Sequence, residues 1–307
     1  MGEPCLRALK YFESLSKFPQ TVMLVFTAFV GYFTPRGSFS LMGLLVLLLS
    51  EFLAIAGTTA INMYYDRDID ALMDRTKNRP IPSGFLSADK ALAIGYGALI
   101  FGLMISFLDG TLLPVTILLG YVFDVWVYTV ALKRKSSLNI VFGGVAGAMP
   151  ILGGWVARTG SVGAGGLILS LLILLWIPLH TWVISLVHRD DYIRAGVPMV
   201  PIKVGLKRLY IYLFFALAAF FFATFELAML GITTWLTPAL SGSMIIALMA
   251  MIYKAFFLNN KRMLMSAQVF ADVFLTISLI SVLIRRWAVK FLPEFLTGSE
   301  LTTRSYR

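Results

Sequence analysis

The chain has 307 residues, of which 14% are charged and 59% are hydrophobic, and its mean hydropathy is +0.84. Soluble domains carry roughly a quarter charged residues, so this composition excludes a soluble protein and indicates an integral membrane protein. The net charge of +10 suits anionic lipid and does not require nucleic acid, while the single cysteine, Cys5, excludes an intramolecular disulfide and a cysteine-based metal site.

Apolar runs of about 20 residues, long enough to cross a hydrocarbon core of roughly 30 Å, recur along the chain. They predict an all-α polytopic membrane protein with nine transmembrane helices, which form one membrane domain over residues 1–307. The first run is the weakest and follows the amphipathic stretch LRALKYFESLSKF, so it is predicted to be a retained helix instead of a signal peptide. The predicted spans are 19–34, 39–65, 88–108, 111–131, 138–157, 166–188, 207–230, 233–257 and 267–290.

The cations lie mostly in the loops after the even-numbered spans and before the first span. By the positive-inside rule, this distribution places the N-terminus in the cytoplasm and the C-terminus outside. With no visible transit peptide, the sequence favours a prokaryotic plasma membrane.

The exit of the second span, NMYYDRDIDALMDRTKNRP, carries an unusual density of carboxylates. Asn62, Asp66 and Asp70 stand at i, i+4 and i+8, so a continuing helix aligns their oxygen-bearing side chains in one stripe. On such a helix Asp68 points to a different face from these three residues. Asp74, four residues after Asp70, is rotated further away from the centre of the stripe. Oxygen ligands without cysteine or a histidine pair favour a hard cation such as Mg²⁺.

Three other interpretations compete for this segment. It can be a solvated loop, or its aspartates can simply pair with Arg67 or Arg75. An EF-hand calcium loop is excluded, because Ala71 stands where glycine is needed and Lys77 where glutamate is needed.

A second acidic cluster follows the sixth span, in the segment HRDDYIRAGVPMVPIKVG. Asp190 and Asp191 lie here among cations, at the membrane face predicted for the first cluster. Two acidic clusters with arginine and lysine around them suit a diphosphate, because carboxylates hold a metal ion and the cations neutralise phosphate oxygens.

Three blocks resemble the UbiA-type intramembrane prenyltransferases: residues 62–84, 128–155 and 176–201. The stretch from Asn62 to Asp70 is similar to the N-x-x-x-D-x-x-x-D motif of that family. The D-R-D-I-D-x-x-M-x-R-T-x-x-R-P string and the D-Y-x-x-A-G-x-P-M segment further resemble the branch that acts on haem. Two departures stand out: Arg194 and Ala195 occupy the positions of the last aspartate in a D-x-x-x-D motif, and Leu179 and Thr181 flank His180.

The resemblance implies nine helices around a central cavity open to the cytoplasm. It also implies Mg²⁺-assisted transfer of a farnesyl group from farnesyl diphosphate, or of a longer prenyl group from its diphosphate, to haem B as acceptor. The residues assigned to catalysis and metal binding are Asn62, Asp66, Asp70, Asp190 and Asp191. Candidates for diphosphate binding are Arg75, Arg79, Lys133, Arg134, Arg194 and Lys203, of which Arg75, Lys133 and Arg194 are favoured.

A prenyl cation needs apolar walls with electron-rich rings. Asp124 and Tyr128 stand one α-helical turn apart on the fourth span, and His180 and His188 stand two turns apart on the sixth. Either histidine could bind the porphyrin iron or a propionate, and His188 is favoured for the propionate. The predicted acceptor or prenyl pocket comprises Tyr65, Asp124, Tyr128, His180, Trp182 and His188.

Four carboxylates, Glu51, Asp124, Glu226 and Asp272, fall within apolar runs, where an ionised group needs a partner or a cavity.

Two further functions stay open at the level of sequence. The same donor site could serve an aromatic quinone precursor as acceptor. An ion-coupled secondary transporter is a third possibility, but transporters place coupling charges near the bilayer midplane, whereas both clusters here are predicted at one membrane face.

Overall fold

The computed structural model describes residues 11–36, 38–258 and 260–288, and within them the chain is helical with no strand. Cys5 and the end of the last predicted span lie outside the described residues. The helices, numbered here in chain order, are α1 (Phe18–Phe33), α2 (Leu41–Leu72), α3 (Ala88–Ser106), α4 (Leu112–Tyr121), α5 (Asn139–Thr159), α6 (Ala164–Val187), α7 (Arg189–Arg194), α8 (Val200–Met229), α9 (Leu236–Phe257) and α10 (Lys261–Ala288).

Eight helical segments of the described chain are long and apolar enough to cross a membrane. They confirm the all-α membrane class that composition predicts. The first predicted span corresponds to α1, which is apolar but has only 16 residues. The predicted count of nine spans is therefore not confirmed.

Helix α2 is longer than predicted and ends only at Leu72. Ser40 caps its N-terminus by accepting a hydrogen bond from the backbone N–H of Gly43 at 3.0 Å. Because the helix continues unbroken past residue 65, the acidic motif lies on a rigid element and not in a loop. Met73 then takes up an extended conformation and ends the helix.

The fourth predicted span is not a single α-helix. After α4 the chain continues as a π-helix over Val122–Leu132, which we call the π segment. Hydrogen bonds in such a helix run between residues five apart, so residues i and i+5 are neighbours on its surface. π-Helical turns are rare and often occur at functional sites.

Four helices, α1, α5, α6 and α10, form a closed ring in which each contacts the next and α10 contacts α1. The closest approach in this ring joins α1 to α5, where a Cβ on Gly154 would lie 1.9 Å from the carbonyl oxygen of Ala28. Only glycine permits this contact. The main hydrophobic core, which includes Val30, Ile151 and Ile173, joins these four helices.

Candidate active site

The acidic stripe of α2 faces the protein interior. The exposed fractions of Asn62, Asp66 and Asp70 are 6%, 5% and 3%, whereas Asp68 is exposed. This burial follows from the helical period, which turns residues four apart to the same side. The predicted orientation of the stripe and of Asp68 is therefore confirmed.

Asp66 forms an ion pair with Lys133, the residue that follows the π segment. Lys133 Nζ lies 2.5 Å from Asp66 Oδ2, while Oδ1 of Asp66 is buried and has no hydrogen-bond partner in the described part of the chain. Lys133 Nζ also lies 5.4 Å from the centre of the Tyr128 ring. Burial opposes the charge of Lys133, but Tyr128 and Asp66 outweigh it and raise the pKa of Lys133. The lysine is thus held in its charged form.

Asp70 forms the second buried ion pair, with Arg79 Nη1 at 2.7 Å from Oδ2. The Thr76 hydroxyl donates to the main-chain carbonyl of Asp70 at 2.9 Å, which fixes the turn that follows α2. Arg79 consequently folds back from the loop onto the stripe.

Asn62 connects the stripe to the π segment. Its Nδ2 donates to Asp124 Oδ2 at 2.6 Å, and its Oδ1 accepts from the Thr129 hydroxyl at 3.0 Å. Asp124 and Thr129 are five residues apart, the spacing that a π-helix brings to one side. The sequence places Tyr128 one α-helical turn from Asp124, but the residue that shares Asn62 with Asp124 is Thr129.

The second cluster lies directly beside the first. Asp191 on α7 accepts hydrogen bonds from the backbone N–H groups of Asp74 and Arg75 at 3.2 and 3.3 Å. Arg194 binds Asp191 and also lies 2.8 Å from Asp74. Burial of the Asp191 carboxyl works against its charge, but these donors together lower its pKa. Asp191 therefore joins α7 to the loop after α2, whereas Asp190 is exposed.

Three of the predicted diphosphate-binding cations contact buried carboxylates: Arg79 contacts Asp70, Lys133 contacts Asp66 and Arg194 contacts Asp191. The side chains of the other three contact none of these buried carboxylates. Arg134 binds Asp68 with two contacts of 2.6 Å on the exposed side of α2 and donates to the carbonyl of Tyr65, and Arg75 and Lys203 are exposed. For Arg75, which the sequence favours, the side chain points to solvent and only the backbone N–H contacts an aspartate.

A family model described as the UbiA prenyltransferase family matches residues 23–280. The chain belongs to this family. A protoheme IX farnesyltransferase from Archaeoglobus fulgidus is 44% identical over 70% of this chain and 75% of that protein. Among solved structures, the chain is similar to a digeranylgeranylglyceryl phosphate synthase, at a TM-score of 0.73 and 20% identity over 90% of this chain and 97% of that one.

Another UbiA homologue, from Archaeoglobus fulgidus, has been solved bound to GPP and Mg²⁺, and the chain resembles it at a TM-score of 0.64 and 16% identity over 89% of this chain and 99% of that one. At such identities the solved structures show the fold that this UbiA prenyltransferase shares with them. Divalent metal with a prenyl diphosphate is known in that fold.

Most of the predicted pocket residues lie at the same end of the helices as the acidic clusters, but His180 does not. Tyr65, Asp124 and Tyr128 lie beside the acidic stripe, and His188 follows α6 at its charged end. Burial and the charge of Arg75 lower the pKa of His188, and Asp191 opposes this. His180 lies further along α6 from the clusters.

Trp182 points away from His180. It is 6% exposed and packs in the main hydrophobic core, and its Nε1 has no hydrogen-bond partner among the described residues. Residues two apart on an α-helix point about 200° apart, so the two side chains lie on nearly opposite sides of α6. A pocket role for Trp182 stays a prediction.

Lys17 is a site residue that the sequence does not single out. It precedes α1 in the left-handed conformation, with φ 43° and ψ 54°, and no other described residue except glycine has a positive φ. Burial, and next the charge of Arg79, lower the pKa of Lys17 to about 8, while Asp124 and Asp66 oppose this. Such a strained backbone often marks a functional position. A basic residue just before a first membrane helix was the only sequence signal.

The carboxylates of the stripe fit a metal ion that takes few protein ligands. No group of three or more histidine, cysteine, aspartate or glutamate side chains converges anywhere in the described ranges. Mg²⁺ commonly uses one or two carboxylates and takes its other ligands from water and substrate phosphate. The unpartnered buried oxygen of Asp66, one helical turn from Asp70, fits that requirement.

Proposed function

We propose that this protein transfers a farnesyl group from farnesyl diphosphate to a vinyl group of haem B and so carries out the reaction of a protoheme IX farnesyltransferase, with haem O as product. The acceptor is inferred from the relative named above. The donor site is inferred from the two acidic clusters. Longer prenyl diphosphates fit the same donor chemistry.

The observation that carries the proposal is the pair of buried carboxylates with an unsatisfied oxygen. Asp66 and Asp70 lie on one stripe of a rigid helix, and each already holds a cation, Lys133 or Arg79, within 2.7 Å. A diphosphate with its metal ion also carries both signs of charge: the metal is positive, as Lys133 and Arg79 are, and the diphosphate is negative, as the carboxylates are. Carboxylates and cations can therefore exchange their mutual contacts for contacts with substrate without unbalancing the buried charge.

The reaction begins with cleavage of the bond between C1 of the farnesyl group and the diphosphate oxygen, which takes both electrons. Asp66 and Asp70, with Asn62, Asp190 or Asp191 as further candidate ligands, would hold Mg²⁺, which would act as a Lewis acid on the departing oxygens. Lys133, Arg79 and Lys17 neutralise the remaining phosphate charge, and Arg194 serves from the second cluster. Charged groups fixed before the reaction stabilise this developing charge most effectively.

The farnesyl cation then forms a carbon–carbon bond with the terminal carbon of the vinyl group. Water adds to the resulting porphyrin-side cation and loses a proton, which gives the hydroxyethylfarnesyl side chain. The rings of Tyr128 and Tyr65 beside the stripe offer electron-rich faces to the cation.

The position of the site within the cell follows from charge. We infer that residues 1–307 form one membrane domain, with the N-terminus and both acidic clusters on the cytoplasmic side of a prokaryotic plasma membrane. Membrane-impermeant amine-directed reagents would test this orientation, since Lys77 and Lys203 are exposed at the clusters. In right-side-out vesicles these two lysines should stay unlabelled, and their labelling would contradict the orientation.

The reaction is tested with detergent-purified protein, farnesyl diphosphate, Mg²⁺ and haem B, with mass analysis of the extracted haem. A mass that matches haem O supports the proposal. A parallel assay replaces haem B with 4-hydroxybenzoate. Farnesylation of the ring compound with none of haem would contradict the proposed acceptor and favour the aromatic alternative.

The transporter alternative is tested separately. Asp66→Ala should abolish farnesyl transfer in the purified protein. Intact transfer together with altered ion flux in proteoliposomes would instead favour a transporter.

A further inference from the structure

A polar pair lies within the membrane-spanning part of α6 and α10, apart from the acidic clusters. His180 Nδ1 lies 2.6 Å from Asp272 Oδ1. The Trp176 ring stacks on the His180 ring, with centres 4.6 Å apart and planes 29° apart, and Trp176 Nε1 donates to the carbonyl of Ala271 at 2.9 Å. The imidazole is thus fixed by a carboxylate on one edge and an indole on one face.

The pair is not closed off by its neighbours. The side chain of His180 is 28% exposed and that of Asp272 is 36% exposed. His180 Nε2 makes no hydrogen bond to any residue that the structure describes. An ionisable pair in a membrane helix is costly, and such residues usually serve a function. With Nδ1 engaged by Asp272, Nε2 is the ring nitrogen left to act.

The helical period shows which way His180 faces. Trp176 faces α10, where it contacts Ala271, and Ile177 faces α5, where it packs against Gly147. His180 lies about 40° from Trp176 and about 60° from Ile177 around α6, between the two. In a four-membered ring the interior lies within the smaller angle between a helix's two neighbours. His180 consequently faces the inside of the ring formed by α1, α5, α6 and α10.

The contact between His180 and Asp272 is the one that metal-binding histidines usually make. Histidines that bind metals almost always donate the other ring N–H to a carboxylate, which fixes the tautomer and makes the free nitrogen more basic. In the tautomer that carries its proton on Nδ1, toward Asp272, Nε2 has a lone pair. In that tautomer Nε2 can bind a metal.

A single protein ligand limits the kind of metal group that can bind here. No cluster of three protein ligands exists in the described residues, so a free divalent ion would find too few ligands at this position. An iron porphyrin brings four nitrogen ligands of its own and needs only one from the protein. It is also flat and apolar, as the interior of a helical ring in a membrane requires.

We propose that His180 Nε2 is an axial ligand of the iron of the porphyrin acceptor and that Asp272 positions it. This inference rests on the proposed function, because it assumes that the acceptor is an iron porphyrin. His180 precedes His188 by eight residues, which is about 12 Å along α6. Ligation at His180 therefore anchors the macrocycle in the membrane interior, with its edge directed to the diphosphate site at the charged end of the helix.

The test is the spectrum of haem bound to the full chain in detergent. Ferric haem B added to the wild-type protein should give the absorption and electron paramagnetic resonance spectra of a histidine-bound haem. His180→Ala should lose these features, and added imidazole should restore them. His188→Ala is the matched control and should keep the spectrum at saturating haem. An unchanged spectrum in His180→Ala would overturn the proposal, as would its loss in His188→Ala alone.

Asp272 supplies a second readout that a purely structural role would not change. Asp272→Asn should keep the ligand but lower the iron–histidine stretching frequency of the ferrous form in resonance Raman spectra. Its affinity for haem should fall by about 10-fold, within the range seen when the carboxylate partner of a metal-binding histidine is removed. An unchanged stretching frequency in this variant would contradict the positioning role.

Binding of metal-free protoporphyrin IX shows whether His180→Ala loses haem because the iron ligand is gone, because the pocket has changed shape or because the variant is misfolded. It should bind wild-type protein and His180→Ala with equal affinity, because it has no iron to ligate. Equal binding also shows that the variant is folded. A tenfold loss for the metal-free ring in His180→Ala would show that the histidine acts by packing and would overturn the proposal.

The inference and the proposed function can fail independently. If the wild-type protein binds haem through His180 but forms no haem O, the proposed reaction fails and the ligand site stands. If haem O forms and no histidine-bound haem is observed at any stage, the reaction stands and the ligand site fails.

Discussion

The two acidic clusters contain the same residue types and lie side by side, but their carboxylates have different partners. Asp66 and Asp70 are bound by side-chain cations, and Asp66 keeps an unused oxygen. Asp191 is bound by two backbone N–H groups and by Arg194. Side-chain partners can turn away when substrate arrives, whereas backbone partners cannot move without the loop. The comparison suggests that the first cluster binds substrate and that the second holds the loop in place.

The largest expected effect is at Asp66. Asp66→Asn keeps the shape of the side chain but removes the charge, and we expect farnesyl transfer to fall by about 10²–10³-fold, the loss typical of removing one fixed electrostatic contact. The measurement is the rate of haem O formation. Asp68→Asn is the matched control, since Asp68 pairs with Arg134 on the exposed side, and should stay within about threefold of wild type. If the rate of haem O formation fell equally in both variants, the buried stripe would not be functionally different from the exposed side of α2.

Lys133 should come next. Lys133→Met leaves Asp66 buried without its cation, and we expect about a 10²-fold loss of transfer. Lys135→Met removes an exposed lysine two residues away and should have little effect. Diphosphate release from farnesyl diphosphate, followed without haem, shows whether the loss is at the donor site. Wild-type release by Lys133→Met would contradict a role for this lysine in binding diphosphate.

Lys17 predicts a dependence of substrate affinity on pH. Since the pKa of Lys17 is lowered to about 8, the lysine is charged below that pH and becomes neutral above it. Affinity for farnesyl thiolodiphosphate should therefore fall as pH rises, by up to about fivefold between pH 8 and pH 9. Lys17→Arg stays charged throughout this range and should flatten the profile. The same dependence of affinity on pH in wild type and Lys17→Arg would contradict a role for Lys17 in the donor site.

Asp191 should affect stability more than chemistry. Asp191→Ala leaves two backbone N–H groups without their acceptor, at a cost of about 1–3 kcal/mol, and should lower the thermal midpoint in detergent by a few degrees. Asp190→Ala is the matched control, because Asp190 is exposed. A larger loss of transfer than of stability in Asp191→Ala would show that the second cluster also binds the metal or the substrate.

The sign of the pH effect follows from the lowered pKa of Asp191. A carboxylate whose pKa is lower in the folded protein stabilises it above the ordinary aspartate value of about 3.9. The difference in thermal midpoint between wild type and Asp191→Ala should therefore persist from pH 7 to pH 5. It should shrink only as the pH falls below about 4.

The sequence predicts well those features that depend on a regular period. The all-α membrane class follows from apolar runs, and the burial of Asn62, Asp66 and Asp70 follows from their spacing once α2 continues. Contacts between distant segments are harder to predict. The sequence places Asp191 near the first cluster, but its choice of the backbone of Asp74 and Arg75 depends on the path of two loops.

Local geometry accounts for most of the corrections. Nothing in the stretch VFDVWVYTVAL distinguishes a π-helix from an α-helix, because its residues suit either, and so Thr129 escapes prediction as the partner of Asn62. The left-handed conformation of Lys17 is equally invisible in the sequence, because a lysine rarely adopts it. Trp182 was assigned by residue type, although the helical period already separates it from His180.

The π segment also limits how the length of this chain can vary. Its π-helical hydrogen bonds bring Asp124 and Thr129 to the same side, where both contact Asn62, and the segment ends immediately before Lys133. Loss of one residue would convert this part of the helix to the tighter α form, in which residues five apart no longer lie on one side. Asp124 and Thr129 could then no longer both contact Asn62. Single-residue deletions between 122 and 132 should thus be far rarer among functioning relatives than substitutions there.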